Sequence, residues 1–322
     1  GFHAKLAHTH MANFHAEPAW EQVQAGLREL GRPFQRSPLL RLIVTLWYWV
    51  RGLIAAKLDV GQVPEGEQRE RWRTYIRLCE QGAIAAYFDS RQVRLIQIVF
   101  RSLYASTRLG LTAERVVSYY QHAVGFATAG WQRLAERLIA RAEALAEQLG
   151  DRLIAARTQL YKGLVWHLGG DSIEAAAITR RALEEGGKWL DSLHYVDGAG
   201  DLVTSLMFRG YYQEAWVWVQ RQMPRHAFMS GGVHGKQANP WAGPCLVIMG
   251  RTHESLRYQE MMRDFCEGAP KTERYLWGEK SAWRLMFLLE QGEYGPAVEE
   301  TINEFRGLGL TARGTSLHFR GF

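Results

Sequence analysis

The sequence predicts an all-α chain, an α-solenoid of antiparallel helix hairpins that repeat about every 40 residues. Three observations carry this. Gly130, Gly170, Gly210, Gly250 and Gly292 fall at intervals of 40, 40, 40 and 42 residues. A second comb of small residues, Ala135, Ala175, Ala215, Ser255 and Ala297, runs five residues behind with the same intervals. No stretch alternates apolar and polar residues between hairpin turns, so no sheet is expected. Fixed self-similarity over 20–50 residues is the mark of stacked repeats. Glycine suits the left-handed residue that closes a helix, and a small residue near the start of the next helix lets the two pack closely.

The elements follow in order. Residues 1–89 read as an irregular helical N-terminal part. Ser37 before Pro38 places proline at a first helical position. The stretch from Leu39 to Ala56 is apolar except Arg41, Thr45 and Arg51. On a helix, Arg41, Thr45, Tyr48 and Gly52 form a narrow polar stripe. Residues 37–58 are expected to be buried among neighbouring helices. The competing reading is an amphipathic helix for a partner or a membrane surface, since Arg28, Arg32, Arg36, Arg41, Arg51 and Lys57 outnumber Glu29 and Asp59. Repeats are expected over 90–310. Thr112 caps a helix to about Thr128, and Asp151 caps the next. Asp171 with Glu174 makes a capping box, and Gly295 precedes Pro296 at another helix start. Between 151 and 168 the spacing of Leu153, Ala156, Leu160, Leu164 and Leu168 is helical. Residues 225–240 read as a long loop, and 311–322 as the truncated start of a further repeat. The first and last residues carry neither an initiator methionine nor a capping signal, so a fragment of a longer chain is expected.

Composition narrows the function classes. A hydrophobic fraction of 47% supports a large core. The net charge of +6 is a modest surplus. Arginines interleave with glutamates, as in Arg133, Glu136, Arg137, Arg141 and Glu143, rather than gathering on one basic face, so no nucleic-acid partner is expected. Cys79, Cys245 and Cys266 are odd in number and lack CxxC spacing. They read as small core residues in a reducing, cytoplasmic setting.

Chemical motifs are sparse. His3, His8, His10 and His15 cluster near the start, but their seven-residue pairings do not match the i, i+4 spacing of a helical zinc site. No metal or cofactor is expected. The stretch SGGVHGKQ at 230–237 has a phosphate-loop flavour, yet Gly231 and Gly235 are one residue too close and Gln237 replaces the hydroxyl that holds magnesium. His194, Asp197 and Asp201 lie near Ser192, Thr204 and Ser205, but no nucleophile elbow accompanies them. A non-catalytic chain is expected, a hydrolytic enzyme being the least favoured reading. Trp216 and Trp218 cannot share one helix face, so one of them is expected to lie outside its own hairpin core.

The repeat unit resembles the tetratricopeptide repeat (TPR). That resemblance rests on Gly163, Trp166, Ala175 and Ala182 in one unit and on Phe126, Ala135 and Ala142 in the unit before it, where Ala123 stands in the glycine position. Later units keep Ala215 and Gly243. The period exceeds the family's usual length of about 34 residues. LRELGRPFQRSPLLRLIVTLWYWVRGL and RLGLTAERVVSYYQHAVGFATAGWQRLAERLIARAEALAEQLGD are similar to the helical-repeat part of bacterial STAND-type signalling ATPases and kinases of the MalT-like group. The resemblance implies a right-handed solenoid that serves as a protein-interaction and sensor scaffold, the regulatory module of a larger signalling protein. Its partner would be a protein or peptide, including domains of its own parent chain; the alternative is a solenoid that senses a small molecule or peptide. The family's groove positions fall, by register, on Tyr120, Arg157, His167, Asp197 and Thr204.

Overall fold

The computed structural model describes residues 1–12, 15–35, 37–58, 62–89, 91–229, 241–267 and 274–308. Among them there are fifteen α-helices and no strand. The first five are α1 (Phe2–Ala12), α2 (Ala16–Glu29), α3 (Pro38–Leu58), α4 (Glu67–Phe88) and α5 (Gln92–Thr107). Four pairs of consecutive helices follow. These are α6 (Ala113–Thr128) with α7 (Gln132–Leu149), α8 (Arg152–Leu168) with α9 (Ser172–Gly186), α10 (Ser192–Phe208) with α11 (Tyr212–Met229), and α12 (Ala242–Ile248) with α13 (Thr252–Glu267). The last pair is α14 (Arg274–Glu290) and α15 (Pro296–Gly307). Within each pair the two helices pack on one another, and α8 also touches α6 and α10.

The glycine comb has a local cause. Gly130, Gly170, Gly210, Gly250 and Gly292 all have φ between 73° and 88°. At Gly170 its own N–H donates to the His167 carbonyl (3.0 Å), and the next N–H, of Asp171, reaches back to Trp166 (3.1 Å). The same two bonds recur at Gly130 and Gly210. This is the Schellman closure, which satisfies the last carbonyls of a helix and needs a left-handed residue. The second comb is the packing counterpart. Ala135, Ala175 and Ala215 are buried. Ser255 fills the same register and donates its hydroxyl to the Gly243 carbonyl at 3.0 Å. Ala297 is only half-buried.

Helix starts follow the sequence closely. Asp151 accepts from the N–H groups of Leu153 and Ile154 (2.9 and 3.2 Å), and Asp171 accepts from Glu174 (3.0 Å). Each satisfies donors that a helix leaves free at its first turn. Thr112 occupies the N-cap of α6 without a side-chain bond, so backbone geometry alone starts that helix. In α8 and α9 the chains approach so closely that a Cβ at Gly163 would lie 2.0 Å from the Thr179 hydroxyl.

Two expectations change. The segment at 37–58 forms a helix, but only 17% of its Leu39–Lys57 window is buried. Its polar stripe faces inward: Thr45 and Gly52 are buried, whereas Leu39, Ile43 and Trp47 are exposed. The physical reason is close packing on α5, where a Cβ at Gly52 would sit 3.0 Å from Leu103 and from the Tyr104 backbone. A narrow small-and-polar stripe fits there; the wide aliphatic face does not. Second, α11 continues to Met229 through Pro224, into the stretch expected to be loop. The phosphate-loop-like residues 230–237 lie outside the described residues, as does 311–322. The tryptophan pair behaves as the sequence implies: Trp218 is buried, while Trp216 is half-buried and meets Tyr258 edge-on at 6.3 Å, bridging α11 to α13. Cys79, Cys245 and Cys266 are buried in the interior, and none forms a disulfide among the described residues. Burial pushes the Cys79 and Cys245 thiols up to about 12.

Candidate binding groove

Helices α4, α5, α6, α8 and α10 converge on one groove. Its wall is apolar: Ala83, Ile84, Leu95, Val99, Val124 and Leu164 contribute. Tyr161, Leu193, His194 and Asp197 line it as well. The groove spans about 560 Å³ of empty space, its open mouth included. A shallower recess continues along α10 past Gly198 to Asp201.

The five positions assigned by register are placed as follows. Asp197 borders the groove and keeps part of its surface open. Tyr120 is fully buried and stacks on Tyr161 with centroids 4.1 Å apart and planes 8° apart. Arg157 lies beneath them. Its guanidinium pairs with Glu80 across α8 and α4 and sits 5.8 Å from the Tyr120 ring. Burial works against that charge, but Tyr120 and Glu80 outweigh it and hold Arg157 firmly protonated. His167 is buried, its Nδ1 2.8 Å from the Ser205 hydroxyl on α10, and burial lowers its pKa to about 4. Thr204 is buried and donates to the Gly200 carbonyl at 2.9 Å. Tyr120 and Arg157 therefore support the groove from below, His167 ties α8 to α10, and Thr204 bonds back within its own helix. Register alone could not separate these roles, because one turn of helix carries both groove-facing and core-facing residues.

Beside Asp197 the groove's lining holds His194, which the register did not select, and Asp191 positions it. His194 is buried, and its Nδ1 lies 2.8 Å from both carboxylate oxygens of Asp191. Asp191 also caps α10 by accepting from the His194 N–H at 2.9 Å. Burial, followed by the charge of Arg157, lowers the His194 pKa despite Asp191. Burial alone would raise the Asp191 carboxyl, but the bonds and charge of His194 hold it well below the usual range. A neutral ring that donates from Nδ1 to a carboxylate leaves Nε2 as an acceptor. Among the described residues, buried Nε2 has no hydrogen-bond partner. Beside it, burial raises the Asp197 carboxyl to about 7. Asp201, one turn along, is raised well above the carboxylate range by burial and by its neighbour Asp197. The sequence contained a signal for Asp191: an aspartate before a helix start with histidine three residues on. The carboxylate at a cap is well placed to reach the N3 side chain.

Elsewhere, His3 of the N-terminal histidine cluster bonds Gln22 and Glu29 at 2.8 and 2.9 Å. No group of three metal-ligating side chains occurs among the described residues.

No known protein family matches this chain, and no curated protein matches it in sequence.

Proposed function

We propose that this chain is an interaction and sensor module, a TPR-like right-handed solenoid that regulates a larger cytoplasmic bacterial signalling protein. Its groove takes an apolar anchor residue from a protein or peptide partner, in trans or from its own parent chain. One observation carries this reading. The apolar groove is lined by His194, whose buried Nε2 has no hydrogen-bond partner, and by Asp197, whose carboxyl is raised by burial alone. An unpaired buried acceptor costs about 1–3 kcal/mol, a cost that a donor on the ligand removes. Asp197 also gains from a cation, because its raised pKa reflects desolvation without a compensating charge. The matching ligand is a segment with a leucine-sized or aromatic anchor beside a lysine, an arginine or a free amino terminus.

The test is selection of binders from a random displayed peptide library, followed by fluorescence anisotropy on the selected sequences. The expected motif is an apolar residue next to a basic one. Asp197→Asn should weaken binding about tenfold, and Val124→Trp, which fills the trough, should abolish it. Selection of acidic motifs, or binders indifferent to both variants, would sink the reading.

A further inference from the structure

The other unusual surface belongs to α3. Down the middle of its outer face run Leu39, Ile43, Leu46, Val50 and Leu53, all exposed. Trp47 and Ile54 flank them on one side and Leu42 on the other. Leu39 and Trp47 leave 68% and 61% of their surface in solvent. These positions recur at i, i+4, i+7, i+11 and i+14, so they share one side of the helix. Twenty-one residues extend about 31 Å. Soluble surfaces scatter their apolar side chains; a contiguous aliphatic face of this length marks a contact.

The rest of α3 shows what the contact is. Its inward side is fixed on the protein by Thr45, Gly52 and Ala55, all buried, and by Trp49 stacked on Phe100 at 5.1 Å. The helix contains Arg41, Arg51 and Lys57 and no carboxylate. Arg51 stands at the rim, where its guanidinium lies over the Tyr104 ring at 3.9 Å and donates to the Tyr104 hydroxyl at 2.7 Å. Lys57 is exposed at the C-terminal end. A second copy seated on this face would bring α3 rims together with cations on both and no acid from either helix to pair with them. A bilayer carrying anionic headgroups accepts the aliphatic face and the basic rim together. The window is also apolar enough to cross a membrane, with mean hydropathy 1.5. Spanning would strip Thr45, Trp49 and Gly52 from α5, so the packing supports a helix lying in the surface.

We propose that α3 is a membrane-docking helix that seats its Leu39–Ile54 face in the interfacial region of an anionic bilayer, with Arg51 and Lys57 at the headgroups. It would hold the groove-bearing helices beside a membrane without a spanning segment. The proposal is independent of what the groove binds.

The experiment is flotation of the whole chain with vesicles of phosphatidylcholine alone and of phosphatidylcholine with about one-third phosphatidylserine, the anionic fraction on which basic segments act. The chain should float with the anionic vesicles, at least tenfold more than with the neutral ones. Ile43→Glu/Leu46→Glu, at two exposed positions, should abolish flotation with unchanged circular dichroism, and Lys57→Glu should reduce it severalfold. Light scattering after size exclusion runs in parallel. A wild-type dimer that does not float, and that the double variant turns into a monomer, would overturn the proposal in favour of a second copy. A monomer that ignores both vesicles, or flotation unaffected by the double variant, overturns it outright.

Discussion

The Arg157–Glu80 pair permits a quantitative prediction. It joins α8 to α4 over 77 residues of sequence, with Tyr120 of α6 against the guanidinium. The side chains of Arg157 and Glu80 are 10% and 13% exposed. Removing one member of a buried pair costs about 3–5 kcal/mol, because the partner charge is left desolvated. The residual exposure of Glu80 lets water recover part of that. The lost contact with Tyr120 adds about 0.5–1 kcal/mol. Arg157→Ala should therefore destabilise the chain by about 3–4 kcal/mol. Urea unfolding followed by far-ultraviolet circular dichroism measures it. Glu80→Gln/Arg157→Met, which removes both charges and keeps the volume, should restore more than half of the loss. A cost for Arg157→Ala below about 1 kcal/mol, the range of an exposed ion pair, would refute the argument that this pair anchors the groove floor. The same substitution should weaken a groove ligand indirectly, by loosening Tyr120 and Tyr161.

Further outcomes follow from individual residues. Asp197 titrates at about 7 in the fold and near 3.9 when unfolded, so it stabilises the fold fully below pH 4 and loses that contribution as pH rises to about 7. Asp197→Asn should make the chain more stable than wild type at pH 8 by roughly 1–3 kcal/mol, with the gap closing toward pH 4, as read from urea midpoints across pH. Gly170→Ala should cost about 1–2 kcal/mol of thermal stability. Nothing lies within 4 Å of the new Cβ, so the whole effect is the left-handed backbone at φ +88°. Asp171→Ala removes one cap bond and should cost about 1 kcal/mol. Asp191→Ala should cost more, because it also frees the His194 ring, and the His194 imidazole shifts in NMR titration should move with it.

Local chemistry was legible from the sequence because the residues that close and open helices act on their own neighbours. Gly130, Gly170, Gly210 and Gly250 end helices wherever they stand, and Asp151 and Asp171 start them, so the helix order from Ala113 to Glu267 could be read directly. Ala135, Ala175 and Ala215 likewise announced a close helix contact.

Which face of each helix meets which neighbour was a different matter. Arg157 and Asp197 looked alike on register, yet Glu80, 77 residues away, draws one inward and leaves the other at the groove. His194 acquired its partner from the turn before its helix rather than from Asp197 or Asp201. The 37–58 helix carried the same amphipathic pattern in either orientation. By pattern alone a narrow polar stripe turns to solvent, because aliphatic faces usually turn inward. The tight fit of Gly52 on Leu103 reversed this, since only the small residues allow the α3–α5 approach. Sequence determines what a segment does to its own backbone; the choice between two faces rests on shape and charge supplied by residues far along the chain, and those meet only in the folded structure.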